Sequence, residues 1–413
     1  MRNKLTAFLA VFFLAFICNG QDVEEWIEDI DYYHKTLEIK HINLYHTISK
    51  NQFTSEIEKL KSNIPQLTNF QITTELMRLT HKVGAGKRDG HTSVPLWGVN
   101  LNKFPIKFYD FEGDLRVISI LENHAQLLGK KLKSINGIPV KKIYKRVSKL
   151  TPFTENIQSS MDRKCRYLVV ADLLKALNII DKIEQSTFTF SDNYGKEISV
   201  QLNSFEKEKY ATLTFKNIHL NPIIKKPKTV KDKDLWFSSI NNSKTVYINF
   251  KKYPSRKEMN DFSESVFKFI EANNSQHLII DLRDNYGGDF YKGLLLANWL
   301  NISDSVEWLS KVYVLTNRKT YSAAMINALQ FKQLLHAKII GEPSGGKPNG
   351  YQDMGEFSLS NSKLIVTYSK REFQFHNRKN KSLKPDVLIT PKWKNFKKGY
   401  DETLNWVLKD ITN

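Results

Sequence analysis

The chain has 413 residues, with 62 Lys+Arg against 43 Asp+Glu, a net charge of +19 and two cysteines. That length calls for two or three domains, and 41% apolar with 12% aromatic residues excludes a disordered or collagen-like chain. Two cysteines make neither a disulfide framework nor a Cys-based zinc cluster.

Met1-Arg2-Asn3-Lys4 is a short positive start, followed by an apolar run from Leu5 to Ile17. A bilayer span takes about 20 residues, so this run reads as a secretory signal peptide over 1–20, cleaved after Gly20. Export to the periplasm, the cell envelope or the extracellular space is expected. Ile17 stands where a small residue would precede a lipid-modified Cys18, which argues against an anchor there. Loss of Arg2 and Lys4 lowers the net charge by two, to +17, and leaves Cys165 without a disulfide partner. No later run is long enough to cross a membrane.

Residues 21–100 read as a helical domain. Trp26, Ile30, Tyr33 and Leu37 share one helical face, as do Phe53, Ile57, Leu60 and Ile64, and then Ile72, Leu76, Leu79 and Val83. Thr68 to Gln71 has the form of a capping box ahead of the third set. Residues 101–205 are β-rich: Asn136-Gly137 between apolar stretches predicts a tight turn, a helix is expected near Tyr167–Leu177, and a hairpin over 187–202. Residues 206–235, with five lysines between Asn221 and Leu235, read as a linker or surface loop. From 236 to 413 strands alternate with helices, which implies an α/β layer with crossover connections. Nucleic acid is an improbable partner for the basic charge, because the lysines are spread along the chain without a recognition motif.

Two turns in the last segment carry candidate chemistry. Asp281-Leu282-Arg283-Asp284-Asn285-Tyr286-Gly287-Gly288 follows a strand, and its paired glycines let backbone N–H groups face an anion. Ser322 stands where a loop hands over to a helix beginning Ala323-Ala324. By itself such a serine is an N-cap, although a helix N-terminus also suits a nucleophile. Lys347 follows in Gly345-Gly346-Lys347.

These residues resemble the tail-specific, or C-terminal processing, serine peptidases and their tricorn-like relatives. The resemblance rests on 281–288, on Thr320-Tyr321-Ser322-Ala323-Ala324, on the Gly-Lys segment and on Asp89-Gly90-His91-Thr92. Leu127 to Gly137 resembles a degenerate PDZ-like module, which would occupy 101–205. The resemblance implies a mixed α/β chain with a crotonase-like (ClpP/crotonase) catalytic core, a helical addition and a PDZ-like module. It implies peptide hydrolysis through an acyl-enzyme on Ser322, with an oxyanion hole from Ala323 and Gly287 or Gly288, and neither metal nor cofactor. Unfolded or tail-exposed polypeptide would be the substrate; the oligomeric state stays open.

The base has two readings. Lys347, oriented by Gln352, is preferred; His91 is the other, as in the tricorn branch, where a serine and a glutamate back the histidine. Here Gly90 holds the serine position, and the stretch before Pro385-Asp386 carries no matching glutamate. Met325 replaces a glutamate that relatives often carry. The alternative function is a catalytically inactive pseudopeptidase that binds peptide or another ligand, and it is expected to lack Ser322 or every candidate base.

Overall fold

The computed structural model describes residues 22–84, 89–376 and 381–412; the signal-peptide reading and Cys18 lie outside these residues. Each of the three N-terminal apolar periodicities is a helix: α1 (Val23–Lys40), α2 (Lys50–Asn63) and α3 (Asn69–Gly84). Asp22 and Ser49 close capping boxes with Glu25 and Gln52, which satisfy the free N–H groups at the starts of α1 and α2.

The middle of the chain folds as β1 (Ile106–Phe111), β2 (Asp114–Leu121), β3 (Lys131–Ile135), β4 (Ile138–Pro139), α4 (Val140–Val147), α5 (Ile157–Tyr167), α6 (Ala171–Ala176), β5 (Gln185–Ser191), β6 (Glu197–Asn203), α7 (Lys207–Ala211) and β7 (Phe215–Asn217). These strands make one antiparallel sheet around Phe104, Val117, Ile135 and Phe188. Asn136 and Gly137 both take positive φ (46° and 74°), the turn that joins β3 to β4. The single helix expected over 167–177 is instead two helices. Val169 and Val170 are drawn out between them, because Phe104 N–H bonds to the Val169 carbonyl and Ala171 N–H to the Asn102 carbonyl.

The last part contains β8 (Leu235–Ile240), β9 (Thr245–Phe250), α8 (Arg256–Asn273), β10 (His277–Asp281), α9 (Phe290–Asn301), β11 (Val312–Thr316), α10 (Ala323–Leu334), β12 (Lys338–Gly341), β13 (Asn349–Ser358), β14 (Ile365–Gln374), β15 (Val387–Leu388), α11 (Trp393–Phe396) and α12 (Glu402–Thr412). One sheet runs β15-β12-β11-β10-β9-β8, parallel except for the antiparallel edge strand β8. Alternation along its strands feeds two cores. Ile248, Ile280 and Val314 face α8, α9 and α10, while Tyr247, Ile279 and Tyr313 pack with Leu404, Val407 and Ile411 of α12.

The expectation of a crotonase-like catalytic core with additions attached to it is corrected at β13 and β14. This hairpin leaves the α/β sheet and pairs only with itself among the named strands. Its Phe357, Leu359, Leu364 and Val366 are buried in one apolar cluster with Trp26, Tyr33, Leu76 and Val83 of the N-terminal helices. Asp29 of α1 also accepts the N–H groups of Asn361 and Ser362 at the hairpin tip, at 2.8 and 2.7 Å. The last part of the chain therefore shares a further core with the N-terminal helices, besides the two on the faces of its own sheet.

Among the described residues no helix is long and apolar enough to cross a membrane. Ile280 lies on the central strand and is wholly buried. Ile280→Ala should lower the free energy of unfolding by about 2–5 kcal/mol, read from urea denaturation followed by circular dichroism.

Candidate active site

Strands β10 and β11 are parallel neighbours, so the turns after their carboxyl ends meet above the sheet, the usual place for a ligand in an open α/β layer. The first turn is held by Asn285, which is wholly buried. Its Nδ2 donates to the Phe250 carbonyl at 2.8 Å and its Oδ1 accepts the Gly287 N–H at 2.9 Å. The second is tied to the first by Thr320 Oγ1, which donates to the Leu282 carbonyl, and by the Tyr321 N–H, which donates to the Asn285 carbonyl.

Ser322 sits at the N-terminus of α10 with φ 50° and ψ −126°, a strained conformation for a residue with a Cβ. Its side chain makes no capping hydrogen bond, so the hydroxyl is not spent on the helix. Gly287, at φ 100°, lies against it: a Cβ there would stand 2.8 Å from Ser322 Cβ and 2.9 Å from the Tyr321 carbonyl oxygen. Glycine is required by that approach.

The Ser322 hydroxyl is 3.0 Å from His91 Nε2. His91 follows α3 in a turn built on Asp89, whose Oδ1 accepts the N–H groups of His91 and Thr92, both at 3.0 Å. Thr92 Oγ1, Ser369 Oγ and His41 Nε2 also bond to this wholly buried carboxylate, at 2.6, 2.7 and 2.8 Å. Burial pushes the Asp89 carboxyl up, but these hydrogen bonds outweigh it and hold the group well below the usual carboxylate range.

Behind His91 stands Glu155, 1% exposed, in the loop before α5. Its Oε1 is 3.3 Å from His91 Nδ1, within ion-pair range, although the alignment is not that of a hydrogen bond, and Nδ1 has no other partner among the described residues. The same oxygen accepts the Tyr321 hydroxyl at 2.7 Å, and Oε2 accepts the Lys347 N–H at 2.7 Å. Burial first, and then the neighbouring Glu155 charge, raises the Tyr321 phenol well above its ordinary value, so it remains a donor. The His91 ring stacks on Tyr321 with centroids 5.4 Å apart. Gly90, in the place where the tricorn branch has serine, leaves this space open. A Cβ on it would lie 2.4 Å from the Tyr321 hydroxyl and 2.6 Å from Glu155 Cγ.

Glu155 was not among the sequence candidates, which sought a carboxylate ahead of Pro385. Its one local signal is the Asn156 capping box that opens α5 immediately after it, and that pattern marks a helix rather than a catalytic acid. Lys347 reaches the constellation through its backbone. Its N–H goes to Glu155, its carbonyl accepts Gln352 Nε2 at 2.9 Å, and its side chain is not part of the cleft wall. Gln352 thus holds the Lys347 main chain. Met325 is wholly buried in the α/β core, so its departure from glutamate serves packing.

Ser322, His91, Gly287, Gly288, Ala323 and Gln352 line a cleft of about 730 Å³ whose walls include Trp97, Phe153, Tyr286, Phe290 and Phe373. With the Gly287 N–H already given to Asn285, Gly288 and Ala323 remain as N–H donors; neither has an acceptor among the described residues.

One group has the composition of a metal site: ligand atoms of His41, His46 and Asp89 lie within 4.8 Å of one another. Its chemistry is that of a hydrogen-bond network, because His41 Nδ1 accepts the Asn43 N–H at 2.9 Å. That lone pair is engaged, so a neutral His41 carries its proton on Nε2 and donates it to Asp89.

Comparison with known proteins follows the same lines. Residues 300–389 match the model of peptidase family S41. The chain is 27% identical over 242 residues to carboxyl-terminal-processing peptidase 2, chloroplastic, of Arabidopsis thaliana, which covers 53% of this chain and 44% of that protein. The chain thus spans less than half the length of this curated relative. Its fold is similar to that of the CPAF crystal structures: a point mutant at TM-score 0.65 and 11% identity, covering 95% of this chain and 98% of the other, and the mature form at 0.63 and 12%, covering 94% and 97%. This likeness covers nearly the whole chain, and it replaces the crotonase-like core with the architecture of those structures.

Gly90→Ala should destabilise the fold by about 1–3 kcal/mol in urea unfolding, because the added methyl overpacks a site with no free volume. The stability that Asp89 contributes is complete above its unfolded value of about 3.9 and is lost as the pH falls below it. The stability gap between wild type and Asp89→Asn should therefore narrow as unfolding is measured from pH 5 down to pH 2.

Proposed function

We propose that this chain, of which residues 300–389 match the model of peptidase family S41, is an exported serine endopeptidase that hydrolyses unfolded or tail-exposed polypeptide through an acyl-enzyme. The observation that carries this reading is the 3.0 Å contact between Ser322 Oγ and His91 Nε2, with Glu155 placed behind the other ring nitrogen.

In this mechanism His91 carries its proton on Nδ1 toward Glu155, which leaves the Nε2 lone pair free to take the Ser322 proton. The serine oxygen attacks the scissile carbonyl carbon. The oxyanion that forms is met by the N–H groups of Gly288 and Ala323 at the N-terminus of α10. Glu155 stabilises the imidazolium and orients the ring. His91 then gives its proton to the leaving amine, and a water, activated by the same histidine, releases the acyl group. His91 replaces Lys347 as the preferred base, because the Ser322 hydroxyl is hydrogen-bonded to the histidine while Lys347 meets the site through its main chain. The pseudopeptidase alternative has no observation in its favour, since nucleophile and base lie within hydrogen-bond reach.

Cleavage of casein by residues 21–413 tests the assignment. Ser322→Ala and His91→Ala should each lower kcat by on the order of 10⁶, and Glu155→Gln by about 10²–10⁴. Lys347→Ala should keep most of the activity. A Lys347→Ala variant as inactive as Ser322→Ala, beside an active His91→Ala, would return the base to the lysine.

A further inference from the structure

Building on the peptidase reading, we propose that Arg163 forms a subsite in the cleft for a carboxylate of the bound polypeptide, either an acidic side chain or the terminal carboxylate. Arg163 projects from α5 into the same cleft as Ser322, and its side chain is 7% exposed. Its guanidinium lies over two rings, Tyr286 at 4.7 Å and Tyr321 at 5.2 Å. Tyr286 immediately precedes the Gly287-Gly288 turn and Tyr321 immediately precedes Ser322, so the charge is held beside the reacting centre.

Arg163 is under-satisfied there. Among the described residues only Nη1 has a hydrogen-bond partner, Asp162 Oδ2 at 2.7 Å, and Nε is buried with none. Asp162 is itself shared. Arg166 Nε approaches the same oxygen at 3.4 Å, and the Tyr286 hydroxyl donates to this carboxylate at 3.3–3.4 Å. The Arg166 guanidinium also stacks on Tyr286, at 4.4 Å. One carboxylate thus directly contacts two guanidinium groups, and the next acid acting on Arg166, Asp284, is itself paired with Lys319 at 3.1 Å.

Burying a charge without a partner is costly, and the arginine fork matches a carboxylate in shape as well as charge. A main-chain carbonyl would satisfy an N–H group but not the charge. The opposite wall repeats the imbalance, with Lys370 and Arg371 each 3.2 Å from the single carboxylate of Asp353. The basic net charge of +19 adds a long-range attraction for acidic polypeptide.

The test is binding of fluorescein-labelled peptides to the full chain carrying Ser322→Ala, which needs no turnover. Three peptides of one neutral sequence are compared: amidated with glutamate scanned through it, amidated with glutamine at the same positions, and glutamine-bearing with a free C-terminus. At least one carboxylate-bearing peptide should bind about tenfold more tightly than the amidated glutamine peptide, and the arm that does so identifies the source. Adding Arg163→Gln should bring that ratio near one, while Arg163→Lys, which keeps charge but not the fork, should retain part of it. Equal binding of all three peptides, no binding of any, or a preference unchanged by Arg163→Gln would overturn the subsite. Failure of the peptidase reading has a different signature: no casein cleavage by the unmutated chain, with the charge preference intact.

Discussion

Much of the site depends on where one buried carboxylate finds its partners. Removing Glu155 from water costs several kcal/mol unless hydrogen bonds replace the lost solvation. Those bonds come from widely separated segments: the Tyr321 hydroxyl next to the nucleophile and the Lys347 N–H at the root of the β13–β14 hairpin, with His91 Nδ1 alongside. Asn156, the next residue, extends the tie by donating to the carbonyls of Ser344 and Lys381 at 3.1 and 3.0 Å. Satisfying Glu155 therefore fixes the nucleophile loop, the histidine and the hairpin root relative to one another. Gly90 follows from the same crowding, since any side chain there would occupy the space in which Tyr321 meets the carboxylate.

Asp89 plays the corresponding part on the side of the helices. Its Oδ1 accepts the two N–H groups that shape the His91 turn, and its other contacts come from His41 at the end of α1 and Ser369 on β14. The N-terminal helices thus reach His91 through a chain of hydrogen bonds. The apolar core they share with the hairpin keeps that chain rigid.

Strain and close approach are concentrated at the nucleophile. Ser322 occupies a φ and ψ that its Cβ disfavours, and Gly287 presses against it so closely that no side chain fits. The α/β sheet holds both, with β10 and β11 in parallel register, the Asn285 amide tying the first turn to the end of β9, and the Asn285 carbonyl accepting the Tyr321 N–H of the second. The strands lie below, and aromatic rings and Arg163 line the cleft of about 730 Å³ above them.

The helices of the first 84 residues, the Asn136-Gly137 turn and the strand–helix alternation after Trp236 were legible from the sequence. Each follows from local periodicity or turn chemistry. Ser322, His91 and the glycine turn were legible as motifs, since residue type and order within a short window carry them. Glu155 was not, because it is placed beside His91 only through contacts across 64 residues in one direction and 166 in the other, and no local pattern encodes that. Sequence left Lys347 and His91 both open as base, since both residue types suit it; the proposal of His91 rests on the nitrogen that faces the Ser322 hydroxyl in three dimensions. Sequence by itself determined the elements, the nucleophile motif and the excess of positive charge. Tertiary structure alone brought His91 and Arg163 into the cleft beside Ser322 and set Glu155 behind His91, because those positions depend on distances between side chains far apart along the chain.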